Sequence, residues 1–318
     1  FIMTAIPNWT GRLPVMGLPL ILLFVLWLAG RIAMFAGGNA VVIGTIDCLF
    51  LLAVAGLAWR EVMAGKNWRN LPICMLITLL AISNFSWHAG DALDLPFQTG
   101  QRSALALISV LMMLIGGRII PSFTTNWMKK QGLSALPMPF NLFDKIVLIF
   151  SILVLIGWIV SPISNITGLG LMFIAILHFV RLVRWRGWMV VNDPVVLVLH
   201  IAYAWIPVAL AMMGLAILQP ELLTAAHALH ALTTGAIGQL TMAVMTRASL
   251  GHSGRELKAG PGTVSIYLLI FIGALLRVVL PFSDMGYALG MSIAGIIWAS
   301  GFLLFVITYG PMLFTARR

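Results

Sequence analysis

Ten apolar runs of roughly 20 residues each dominate this 318-residue sequence, and that is the length a helix needs to cross the hydrocarbon core of a bilayer. They fall at residues 18–36, 40–59, 71–90, 102–121, 143–162, 166–184, 194–218, 222–247, 262–281 and 287–311. In lipid a spanning segment must satisfy its own backbone polar groups, so such runs read as helices. Pro and Gly punctuate their ends, at Pro19, Gly37-Gly38, Pro72, Pro121, Pro162, Pro194, Pro220, Pro261, Pro281 and Pro311. No soluble domain or low-complexity linker separates them. The fold class is therefore all-α, a polytopic transmembrane helix bundle forming a single domain over residues 1–318. The opening FIMTAIPNWTG has no initiator Met and no signal-like cleavage site. It reads as the end of a helix already in progress, with an N-terminal part missing.

Composition agrees. Only 9% of residues are charged, against about 25% in a soluble domain. The net charge of +10 would suit nucleic acid, but its distribution suits a membrane better. One alternate set of connections holds Arg12, Arg60, Lys66, Arg69, Arg118, Lys129, Lys130, Lys145, Arg181, Arg184, Arg186, Arg247, Arg255, Lys258, Arg317 and Arg318, sixteen of the nineteen cations. The other set holds only Arg102, beside Asp91, Asp94, Glu221 and Asp284. By the positive-inside rule the basic loops and the C-terminus face the cytoplasm. Trp9, Trp59, Trp68, Trp127, Trp185 and Trp188 cluster at that boundary, where interfacial anchoring accounts for them. The longest connection, residues 122–142, is only moderately polar.

Ionisable groups in a bilayer are costly, and they usually face the bundle interior to pair or to serve function. Depth along the helices sorts them into two layers. The outer layer holds Arg31, Asp47, His88, His227, His230 and Arg277. The inner layer holds His178 and His200, with Arg118, Arg247, His252 and Arg255 on the same side. Arg31 and Asp47 flank the Gly37-Gly38 turn, where a structural ion pair and a role in holding an anionic group are equally good readings. Any one of these histidines is most simply a core imidazole bonded across helices. Several at matching depths suggest ligation of iron, copper or zinc. Haem would also need a flat apolar slot, which Gly235 and Gly238 would open, and cations for its propionates, which Arg31 and Arg277 would supply.

His200 and Tyr203 are three apart and share a helix face. Pro207 cannot donate back to the Tyr203 carbonyl, which predicts either a plain kink or a polar pocket near the imidazole. His227 and His230 form an HxxH pair, a weak signal alone. No HExxH, Walker loop or GxGxxG in a strand–helix context occurs. Cys48 and Cys74 stand singly in apolar runs, with no disulfide or thiolate-zinc spacing.

Several stretches together resemble the NnrS family of bacterial inner-membrane proteins: AIPNWTGR (Ala5–Arg12), GGRIIPSFTTNW (Gly116–Trp127), LHFVRLVRW (Leu177–Trp185), LHIAYAWIP (Leu199–Pro207) and HALTTGAIGQLTMAVMTRASLGHSGR (His230–Arg255). The resemblance covers essentially the whole chain. It implies about twelve helices, a link to nitric oxide and nitrosative stress, and haem and copper as cofactors held mainly by histidine. His88, His178, His200, His230 and His252 fall at family-like positions, and His227 does so less clearly. The family's two further N-terminal helices, with a WHxHE-type stretch, are not among these residues.

Two functions from different classes follow. In the first, a haem/copper membrane protein handles nitric oxide, by turnover, scavenging or protection. Its outer layer of His88, His230 and His227 would form the reactive centre, and His178/His200 a second haem or a structural contact. In the second, a transporter or ion/proton channel uses the same buried charges as a path. The sequence shows no clear internal repeat of helix groups to favour the second.

Overall fold

The computed structural model describes residues 7, 10–11, 15–90, 92–96, 98–283 and 286–315. Among them every regular element is helical. The helices are α1 (Leu18–Ala36), α2 (Ala40–Ala64), α3 (Leu71–His88), α4 (Thr99–Lys130), α5 (Leu142–Val160), α6 (Asn165–Arg184), α7 (Pro194–Leu218), α8 (Ala225–His230), α9 (Gly238–His252), α10 (Pro261–Val279) and α11 (Tyr287–Leu313). Nine helices are long and apolar enough to cross a membrane among the described residues. The expected span over residues 222–247 is α8 and α9 joined by a π-helical stretch, Ala231–Ile237. The chain is a multi-pass membrane protein.

The helices form two compact units, Phe1–Leu111 and Met112–Arg318. The first holds α1, α2, α3 and the start of α4. Gly37 and Gly38, with φ of 69° and 128°, turn the chain between α1 and α2 in a region where a side chain would be strained. Asn39 then caps α2, its side chain accepting from the Val41 and Val42 amides at 3.0 and 3.2 Å. The second unit is built around α7, whose core includes Val195, Leu199, Tyr203, Ile206 and Leu210, all essentially without exposed surface. Asp193 caps α7 through the Val195 and Val196 amides, and Pro194 sits in its first turn, where its missing N–H costs nothing.

Several expectations are revised. Pro121 does not end α4, which runs on to Lys130. Spanning helices tolerate proline where neighbours supply hydrogen bonds, and the extension is held by Trp127 and Met128 packing with Val190, Val196 and Leu136. The connection expected over residues 122–142 is thereby cut to 131–141. Trp185 is no interfacial anchor, because it is only 2% exposed and packs edge-on against Tyr203. Trp59 bonds Thr78 Oγ1 of α3 at 2.9 Å, tying α2 to α3. Trp68 and Trp188 are exposed, as anchors would be. Trp9, Arg12, Asp91, Asp284, Arg317 and Arg318 lie outside the described residues.

Candidate functional site: two buried polar clusters

In the first unit, Asp47 on α2 gathers the polar residues. It accepts from Arg31 of α1 through Oδ1, and from Asn84 Nδ2 at 2.9 Å through Oδ2. His88, the last residue of α3, places Nε2 3.2 Å from the same Oδ2. A carboxylate accepts and cannot donate, so this contact places a proton on Nε2. Nδ1 has no hydrogen bond within the described residues. The ring lies against Gly44, where an added Cβ would stand 3.0 Å from the imidazole. Beside this group opens a cavity of about 500 Å3, lined by Arg31, Asp47, Asn84 and His88 together with apolar side chains. The predicted Arg31–Asp47 pair is thus present, and His88 joins it.

In the second unit two histidines of the inner layer have different environments. His178 on α6 is fully buried. Ser151 Oγ donates to the Val147 carbonyl at 2.7 Å, so its oxygen is left to accept from His178 Nε2–H at 2.9 Å. Nδ1 then accepts from the Tyr203 hydroxyl at 2.9 Å, and Arg181 Nη1 donates to that same hydroxyl oxygen at 2.9 Å. Both ring nitrogens of His178 are committed. Arg181 is held in turn by Asp144, Nε to Oδ1 at 2.6 Å, and by the Met113 carbonyl at 2.8 Å. Its guanidinium lies over the Trp185 and Phe140 rings and against Gly117, where any Cβ would overlap Nη2.

His200 on α7 is 5% exposed. Thr124 Oγ1 donates to the Ile120 carbonyl at 2.9 Å and accepts from His200 Nε2–H at 2.8 Å. The tautomer follows: Nδ1 is a bare lone pair. It is buried with no hydrogen-bond partner among the described residues. It faces Gly187, where a Cβ would lie 2.7 Å from it, in the turn that opens with Arg186 at φ 56°. A 260 Å3 cavity lies alongside, with Gly187, Trp188 and Ala204 in its walls.

The outer-layer histidines of this unit sit at the start of the broken helix. His227 places Nδ1 3.1 Å from the Thr224 hydroxyl, and its ring packs tilted against Phe282 with centroids 5.5 Å apart. His230 is half-buried and closes α8, three residues after His227. The π stretch begins one residue later, with Thr233 and Thr234 bonded back to the Leu229 and His230 carbonyls. Such stretches recur at functional sites. Gly235 and Gly238 do not open a slot. A Cβ on Gly235 would meet Trp205 at 2.5 Å, and one on Gly238 would meet Trp298 at 2.8 Å, so two indoles fill the thin face. His252 is exposed at the end of α9.

Tyr203 meets an imidazole through its hydroxyl, not its carbonyl, and the imidazole belongs to His178 rather than His200. Sequence reasoning overlooked Asp144, Asn84, Ser151 and Thr124. For Asp144 a signal existed: Asn141 and Asp144 form a capping box before an apolar run. The others are ordinary polar residues whose role depends on which helices pack together.

No three of the described His, Cys, Asp and Glu residues converge to hold a metal ion. Copper held by protein ligands alone therefore finds no ready donor set within them. Haem iron asks for less, one or two axial side chains; His200 offers a buried lone pair, with the Gly187 backbone packed close against it. His178 offers none, having no free nitrogen.

No curated protein and no solved structure matches the sequence. The model of the NnrS protein family matches residues 1–317, and the chain belongs to that family.

Proposed function

We propose that this protein is a haem-binding member of the bacterial inner membrane that handles nitric oxide or protects against nitrosative stress, with its C-terminus in the cytoplasm. The observation that carries the reading is His200 Nδ1, an unprotonated nitrogen buried without a partner. A buried polar atom left unsatisfied costs about 1–3 kcal/mol, which a ligand at that atom would relieve. Thr124 fixes the tautomer and ring orientation, as the outer partner of a metal-ligating histidine does. Haem, when bound, supplies an iron centre with an open position for a diatomic ligand. The protein's own part is to orient the imidazole, with Trp185 packed beside it. Copper, which the family also implies, would need donors beyond the described residues. The test is an absorbance spectrum with haem and copper analysis of the purified protein, before and after anaerobic nitric oxide. Stoichiometric haem with a Soret band that nitric oxide shifts is expected, and absence of haem overturns the reading.

A second reading, as a proton or ion path, is favoured by one observation. Arg181, Tyr203, His178 and Ser151 form a hydrogen-bond chain with a single direction, anchored by a buried ion pair. Proton uptake by proteoliposomes under an imposed potential, lost in Tyr203→Phe, would support it over the haem reading.

A further inference from the structure

We propose that the cavity of the first unit binds the head group of a lipid-soluble quinol or quinone. Its polar end is formally balanced. Arg31 and Asp47 neutralise each other, and Asp47 also takes Asn84 and His88. An anionic head group such as a fatty-acid carboxylate would find no uncompensated cation there. A neutral head group that donates and accepts hydrogen bonds fits better. His88 Nδ1 has no hydrogen-bond partner among the described residues, and in the neutral imidazole it would accept from an O–H group. The Asn84 amide oxygen makes no hydrogen bond among the described residues, and Gln101 adds both a donor and an acceptor to the lining. The remaining wall is largely apolar and aromatic, with Trp27, Phe50 and Trp87 in the lining. About 500 Å3 is within the range that small-molecule sites occupy, roughly 300–1,000 Å3.

Location supplies the rest. α1, α2 and α3 are all candidate membrane spans, which suits a ligand that enters from the bilayer and carries an apolar body. A flat ring with oxygens at opposite ends and an apolar tail is the quinone class. The proposal concerns binding, and it stands apart from the haem reading: a wild-type protein without haem sinks that reading and leaves this one untouched.

The full chain in phosphatidylcholine nanodiscs, titrated with decylubiquinone and followed by tryptophan quenching, tests it. Saturable binding is expected. It should weaken at least tenfold in Ala104→Phe, which fills the cavity, and in His88→Phe, which removes the acceptor. Gly295→Ala, at an exposed position of α11 with nothing within 4 Å of the added carbon, should bind as wild type does. An azidoquinone crosslinked to the unmodified protein should label the peptides around Trp27–Arg31 or Leu80–His88, so the result does not depend on either variant folding. Non-saturable partitioning with labelling spread over the chain overturns the proposal. So does loss of haem from His88→Phe with decylubiquinone binding unchanged, which would give the cavity to haem.

Discussion

His200 Nε2 stands 2.8 Å from Thr124 Oγ1, and that hydroxyl donates its own proton to the Ile120 carbonyl at 2.9 Å. The two contacts together give the imidazole one protonated and one bare nitrogen. Thr124→Val keeps the shape of the site and removes the acceptor. His200 then loses its one hydrogen bond, and the variant should unfold earlier in detergent, by about 1–3 kcal/mol for a buried donor left unsatisfied. If His200 holds iron, the haem should stay while its midpoint potential moves, because the outer partner tunes the ligand. Redox titration beside a thermal melt separates the two effects. An unchanged potential in a protein that retains haem would place the haem elsewhere.

The Asp144–Arg181 pair makes a sharper prediction. Both side chains are buried, and removing one partner leaves a buried charge unopposed. Arg181→Met and Asp144→Leu should each cost about 3–5 kcal/mol, whereas the double variant should recover much of that loss, since apolar replacement of a whole buried pair is often near neutral. Gly117→Ala should resemble Arg181→Met, because its methyl group occupies the guanidinium's place. A double-mutant cycle by chemical denaturation checks this. Additive single effects would show that the pair is not coupled.

The element count, the order of the spans and the Arg31–Asp47 pairing were legible because each rests on a local rule: length of apolar run, turn glycines, charges that cannot be left in lipid. The π stretch after His230 was not legible, since it reflects a helix adapting to the indoles of Trp205 and Trp298. Nor could the sequence distinguish His178 from His200. Both are histidines on apolar helices near the same depth, and their difference lies in whether Ser151 and Tyr203 or Thr124 and Gly187 happen to face them. Trp185 misled for the same reason. Its place after Arg184 suggests an anchor, yet α6 turns it inward against Tyr203.

Cys48 and Cys74 give an independent probe of the first unit. Both are free and buried, both lie in residues 1–111, and the second unit has no cysteine. A thiol-reactive fluorogenic maleimide should therefore label the folded protein slowly and report unfolding of the first unit alone on heating. Asp47→Asn weakens the contacts to Arg31 and His88, so it should lower the labelling midpoint by several degrees. Arg181→Met, in the other unit, should leave that midpoint nearer wild type if the units unfold separately. Coincident shifts in both variants would show one cooperative transition.

Gly187 decides whether the space before His200 serves the imidazole. A methyl group there would stand 2.7 Å from Nδ1, closer than a carbon and a nitrogen can approach without displacement. Gly187→Ala should therefore push the ring off Thr124 or move the Arg186–Gly187 turn. Either shift should reduce haem retention if Nδ1 is the ligating atom, and it should cost stability even if it is not. Gly295→Ala is the matched control, because nothing lies within 4 Å of the added carbon on that exposed helical position. It should be neutral or slightly stabilising, alanine being the better helix former. Haem per protein in the two variants, set against their melting temperatures, distinguishes the cases. Haem loss from Gly187→Ala beyond what its lower melting temperature accounts for identifies a ligand position, whereas a lower melting temperature with full haem identifies a packing contact.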